Sequence, residues 1–417
     1  MKKHYSYAHL PKAVYLLFVS DIILTSGKFI FPFLSLILIQ NYGISQQMAG
    51  VFMMAATVSS IVGTWLGGIF ADHFQRKTVL LVAMAGGSVA YLLALFMTNP
   101  YLAGILILVG LGYMASTKPA FNAMVTDVTL SSQRQSAFSL LYLGVNIGFS
   151  VAPLIGSFIY QKDYHFLFIG EAAAILLSAL FIFFSSDSFP PEHEKEEEIS
   201  LSKLRKDLRQ LFTLLGGQPG HLLIGIAYAL LMIAYSQIFF TMPLQLSGLF
   251  HESGIRYYGI MMTLNGFSVI LLSSLVTKAT RNRKPSANMV LAGLVFAFGL
   301  GAYSITDKPC YFMAWVFVWS IGEILTNTNL KVYYSEYAAP RLRAKFHMVG
   351  ELAYEAGFGL GPFMAGFVIA CGKVRALWVG IFFLCLFSSY LAWRAGKIRK
   401  EEKSGQHNHS SRKVYTT

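Results

Sequence analysis

The chain has 417 residues, of which 55% are hydrophobic, 15% aromatic and only 13% charged. A soluble domain carries roughly 25% charged residues, so this composition excludes an ordinary water-soluble enzyme core and points to the bilayer. The net charge of +13 is scattered over short segments between apolar runs, which excludes the continuous basic face that nucleic-acid binding needs.

The N-terminal segment MKKHYSYAHLPKAVYLLFVSD imitates a signal peptide, but its apolar character continues past Asp21 to Leu38 without a small-residue cleavage site. It reads as a retained first span. About 20 apolar residues cross a hydrocarbon layer of about 30 Å, and on that criterion twelve spans are expected. They run approximately over 11–38, 48–70, 77–97, 101–127, 136–160, 165–186, 220–245, 257–277, 287–306, 310–336, 345–371 and 374–393. The chain thus reads as an all-α membrane protein.

Lysines and arginines fix the expected orientation, because they accumulate on the cytoplasmic side. Of 33, 25 fall on the side that holds both termini, 5 on the other, and Lys28, Lys118 and Lys331 lie within spans. Both termini are therefore expected in the cytoplasm of a multi-pass protein of the cell membrane. The segment 187–219 opens with DSFPPEHEKEEE and continues with apolar residues at helical spacing, which predicts a cytoplasmic linker ending in an interfacial helix. It divides a bundle over 1–186 from a bundle over 220–394, and a basic tail follows over 395–417.

The bundles repeat each other. An offset of 209 residues places Arg134 on Arg343, Gly148 on Gly357, Phe149 on Phe358 and Pro153 on Pro362. Six-span repeats related by an axis along the membrane normal are one architecture of secondary transporters.

Between spans two and three stands GGIFADHFQRK. Gly68, Asp72, His73, Gln75, Arg76 and Lys77 occupy the places of a Gly, Asp and basic-residue pattern through which the chain resembles the major facilitator superfamily. His73 and Gln75 depart from that pattern, at a basic and a glycine position respectively. In span five, GFSVAPLIGS keeps Gly148, Pro153 and Gly156 of a drug-antiporter motif, and GFGLGPFMAG in span eleven supplies Gly357, Gly361 and Pro362. NAMVTD and GEIL add a likeness to multidrug–proton antiporters of Gram-positive bacteria. The resemblance implies twelve transmembrane helices in two pseudo-symmetric halves, with spans one, four, seven and ten lining a central cavity. It also implies a gate in which Asp72 faces span eleven and pairs with Arg134, while Gly68 allows close helix approach.

A charge at mid-bilayer costs about 2.5–3.5 kcal/mol on insertion scales, so each needs a partner or a cavity. Asp21 and Lys28 are seven apart, on one face of a continuous helix. Glu323, Asn327 and Lys331 form a stripe at four-residue spacing, and Lys118 with Asn122 repeats it in span four. Asn146 and Gln237 complete the candidate cavity residues. Glu323, Asp21 and Glu355 are the candidate proton carriers, Glu323 first; Glu171 has no evident partner. The alternative reading of these charges is structural pairing between helices.

No cofactor or metal site and no enzymatic chemistry is expected, and a monomer is. The expected partners are a small molecule, protons and the lipid bilayer. The function that follows is proton-coupled efflux of small hydrophobic or amphipathic compounds by alternating access. Proton-coupled uptake of a polar or anionic solute, a lipid translocase and a receptor without turnover are the alternatives, since the three in-span lysines favour an anion.

Overall fold

The computed structural model describes residues 9–185, 218–338 and 342–414, with side chains to 398 apart from Ala344. Among them are twelve helices long and apolar enough to cross a membrane. Spans one to six are Lys12–Asn41, Gln46–His73, Arg76–Leu95, Pro100–Asp127, Arg134–Lys162 and His165–Phe184. Spans seven to twelve are Pro219–Phe250, Glu252–Thr280, Pro285–Ser304, Pro309–Tyr337, Lys345–Ala370 and Val374–Ile398. The twelve expected spans are thus the twelve observed. The expected linker helix falls mainly on 186–217, outside the described residues.

Local chemistry sets the span ends. Ser45 accepts the Met48 N–H at 3.3 Å, and Asn99 Oδ1 accepts the Tyr101 and Leu102 N–H groups at 2.9 and 3.2 Å, so first-turn donors are satisfied without water. Prolines at 100, 285 and 309 open spans four, nine and ten, where a missing N–H costs nothing. Left-handed backbone occurs at Gly43, His251 and Gly372, in the turns after spans one, seven and eleven.

Span one is discontinuous. Its first helix ends at Ser26 and a second begins at Ile30. Two residues explain the break. Gly27 weakens the helix, and Pro32 lacks the N–H that would bond to the carbonyl of residue 28. Gly27 is also required by packing, since a Cβ there would overlap the Ala174 side chain of span six.

The described residues pack as two compact units. The first draws on Met1–Glu198, Ile238–Phe267 and Pro362–Cys371. In it span four packs on spans two and three, span six on span three, and span one on spans five and six. Glycines set these approaches: a Cβ on Gly63 or Gly67 would run into the span-four backbone at Gly112 or Ser116, and one on Gly148 would overlap Thr25. The second unit draws on Ile199–Gln237, Ser268–Gly361 and Gly372–Thr417. Span nine packs there on spans ten and twelve, which is the arrangement of spans three, four and six displaced by six. Gly357 and Gly361 lie against span seven at Ala229 and Ser236.

Gly68 corrects the close-approach expectation. Among the described residues no atom lies within 4 Å of a Cβ built there. The contact belongs to Gly67, one residue and about 100° earlier on the helix.

Candidate functional site

The break in span one holds the principal site of the first unit. A cavity of about 240 Å³ is lined there by Lys28, Lys118, Glu171 and Tyr91, with Phe31, Phe149 and Met114 among its apolar walls. Glu171 is 5% exposed, and its Oε2 accepts the backbone N–H of Ile30 at 2.7 Å. That donor is free because the helix is interrupted just before it, so the break supplies the hydrogen bond that a buried carboxylate demands. Lys28 feels the attraction of Asp21 and Glu171 and the repulsion of Lys118. The hydroxyl of Tyr91 is buried and has no hydrogen-bond partner among the described residues. The cavity thus gathers two lysine side chains, one carboxyl group and a phenol between apolar walls.

Asp21 lies in the helix before the break and does not line the cavity. It still interacts electrostatically with Lys28 across the interruption at Gly27 to Phe29. Asn122 is exposed at the far end of span four. Asn146 spends its amide on the Tyr142 carbonyl at 2.7 Å in its own helix.

The second unit contains a different cluster. The Tyr235 hydroxyl donates to Glu323 Oε1 at 3.1 Å, and the Tyr228 hydroxyl donates to Asn327 Oδ1 at 3.4 Å. Tyr354 stacks on Phe358, with ring centres 5.5 Å apart, and borders Tyr228. Span seven thus meets two members of the span-ten stripe with phenols, whereas Lys331 is exposed. Gln237 is buried and donates to the Ile233 carbonyl at 3.1 Å. Glu355 is half-buried.

At the turn between spans two and three, Arg76 forms an ion pair with Asp127 at the end of span four. Lys77 donates to the Phe183 carbonyl at 3.1 Å and lies over the Phe183 ring. Asp72 and Arg134 are exposed and form no ion pair among the described residues. The expected Asp72 to Arg134 pair is therefore not made here, and the anchoring falls to Arg76 and Lys77.

Sequence reasoning named Glu171 but found it no partner, and it missed Tyr91, Tyr228 and Tyr235. Glu171 had a readable signal: Gly27 and Pro32 flank Lys28 within a span, and an interrupted helix exposes backbone donors that a carboxylate elsewhere can take. The phenols had none, because tyrosine within a span reads as packing.

Twelve spans, a repeated helix arrangement and intramembrane charges around a break in span one define a polytopic membrane transporter. The family model of the Major Facilitator Superfamily matches residues 16–362, and the chain belongs to that superfamily. It is 23% identical over 346 residues to YqjV of Bacillus subtilis (strain 168), described as an uncharacterised transporter of the same type, with 81% of each chain covered. It is also 23% identical over 365 residues to a Na(+), Li(+), K(+)/H(+) antiporter of Planococcus maritimus, covering 81% of this chain and 85% of that one. The crystal structure of the nucleoside transporter NupG superposes with a TM-score of 0.74 at 17% identity, over 93% of this chain and 99% of the other. The protein is accordingly a transporter with the major facilitator fold and not an enzyme.

Proposed function

We propose that this chain is a proton-coupled transporter of a small organic anion with an apolar body, working by alternating access in the cell membrane with both termini cytoplasmic. The observation that carries the reading is the cavity where Lys28, Lys118, Glu171 and Tyr91 meet between aromatic and aliphatic walls. Ionised Glu171 competes with a substrate carboxylate for Lys28. Protonation of Glu171 removes that competitor, so proton and anion bind together. Linkage is reciprocal, and each ligand then raises the affinity for the other by about 5–150-fold, the usual range for coupled sites. Ligands that bind together travel together, which makes the inward proton gradient a driving force for uptake. Glu171 joins Glu323 as a proton carrier in this scheme, with Lys28 and Lys118 as the anion contacts.

Efflux by proton antiport is the second reading, and the second unit supports it. Glu323 is held by a neutral phenol among stacked aromatic rings, a setting suited to a lipophilic cation that displaces a proton. The antiporter from Planococcus maritimus is a precedent for exchange against protons in a relative of similar length.

The two readings differ in sign. In proteoliposomes with a fluorescent pH indicator inside, a panel of aromatic and aliphatic carboxylates is added outside, followed by a panel of lipophilic cations. Uptake with an anion acidifies the lumen of vesicles and is accelerated by an acidic exterior. Proton movement only with cations, in the opposite sense, would replace the anion reading by the efflux one.

A further inference from the structure

Two apolar walls of the cavity at the span-one break are phenylalanine rings, Phe31 from span one and Phe149 from span five. Both are half-buried, so each keeps surface for the cavity. Phe239 of span seven belongs to the same compact unit and is only 3% exposed. The ring centre of Phe31 is 5.7 Å from that of Phe239, with the planes inclined by 48°, and that of Phe149 is 6.1 Å away at 62°. Two wall rings from different spans thus converge on one buried ring, which makes them the sides of a cleft and Phe239 its floor.

The floor is tied to one of the walls. Pro243 has no N–H to give the Phe239 carbonyl one turn earlier, and that carbonyl accepts the Ser35 hydroxyl at 3.4 Å instead. Ser35 stands one turn beyond Phe31 on the short helix Ile30–Leu36. Lys28 precedes the same helix, so an acid group that reaches Lys28 brings its apolar body to Phe31.

Aromatic rings prefer offset or edge-to-face partners with centres about 4.5–7 Å apart. A flat ring between Phe31 and Phe149 meets both in that way, whereas a saturated ring is puckered and has no π face to offer. The cavity, at about 240 Å³, is smaller than the roughly 300–1,000 Å³ of pockets for drug-sized ligands, which limits the guest to a small ring system.

Resting on the organic-anion reading of this cavity, we propose that the apolar body of the anion is an aromatic ring held between Phe31 and Phe149, its acid group toward Lys28. Phe239 is the positioning residue that sets the spacing of the two walls.

Titration calorimetry on the purified full-length protein compares benzoate with cyclohexanecarboxylate and phenylacetate with cyclohexylacetate. Within each pair charge and ring size match, and only aromaticity differs. The wild type is expected to hold each aromatic acid about tenfold more tightly, the value of two ring contacts. Phe31→Leu and Phe149→Leu should each lower that ratio to about threefold or less, with the saturated acids held within about threefold of wild type. Phe239→Leu should act through the walls, raising KM for the aromatic acid in proteoliposome uptake more than it lowers kcat. A merely structural role for Phe239 would instead lower kcat and the unfolding temperature and weaken both members of a pair alike. Equal affinity within both pairs in the wild type, or a preference that survives the Phe31 and Phe149 variants, overturns the aromatic cleft and leaves the anion reading in place. Binding of none of the four acids overturns the anion reading itself.

Discussion

The break in span one and the stretch of span seven that aligns with it do different things. The 209-residue offset places Gly27 on Ser236, Lys28 on Gln237 and Pro32 on Thr241. With glycine and proline, span one opens and releases the Ile30 N–H to Glu171. With serine and threonine, span seven runs unbroken from Pro219 to Phe250, its Ser236 hydroxyl returning to the Ile233 carbonyl at 2.9 Å. Glu171 itself corresponds to Gly380. In the first unit a carboxylate thus takes a backbone donor that the break releases, whereas in the second Glu323 takes its donor from the Tyr235 phenol. The difference follows from the cost of ions in hydrocarbon: a carboxylate can be buried beside a free N–H and an ammonium more readily than beside a closed helix.

The largest effect should come from the two carboxylates. Glu171→Gln is expected to abolish uphill accumulation while leaving downhill exchange of the anion intact, because the lysine no longer has a titrating competitor. Glu323→Gln is expected to change the pH dependence without abolishing accumulation. The check is paired measurement of gradient-driven uptake and counterflow in proteoliposomes. If the two variants exchange roles, the coupling site lies in the second unit.

Next in size are the lysines. Lys28→Met should raise KM for the anion about tenfold or more, the cost of removing one charged partner at a buried site. Lys331→Met, on an exposed position of span ten, should change KM less than about threefold, within the small scale of exposed charges. Equal effects would mean that both lysines touch substrate and that the first cavity is not the dominant one.

How much of this was legible in the sequence depends on the kind of feature. Span number, the duplication and the family followed from hydrophobic length and from motifs such as GGIFADHFQRK, since the bilayer imposes those on every turn of chain. The site was legible only as an inventory of charges. Helical spacing related Asp21 to Lys28, and the two still interact, but spacing alone did not show the break at Gly27 and Pro32 that brings in Glu171. Gly68 shows the same limit at a packing site: the motif names the residue, whereas the close approach to Ser116 belongs to Gly67. Gly67→Leu should therefore lower stability by about 1–3 kcal/mol through overpacking, and Gly68→Leu should be close to neutral. Unfolding temperatures of the two purified variants decide it, and a larger loss for Gly68→Leu would return the contact to the motif glycine.

The smallest expected effect separates the phenols of the two regions. Tyr91 has no partner for its buried hydroxyl among the described residues, so Tyr91→Phe removes an unsatisfied group and should leave stability unchanged or slightly raised. If that hydroxyl serves the substrate, the same variant weakens anion binding by about threefold to tenfold, the value of one neutral hydrogen bond. Tyr235→Phe takes the donor from Glu323 and should instead shift the pH profile of transport toward higher pH, because the ionised carboxylate loses stabilisation and protonates more readily. A KM change in the first variant with no shift in its profile, and a profile shift in the second with little KM change, would assign substrate contact to one phenol and proton affinity to the other. The reverse pattern would place substrate against Tyr235 and move the binding site out of the cavity at the span-one break.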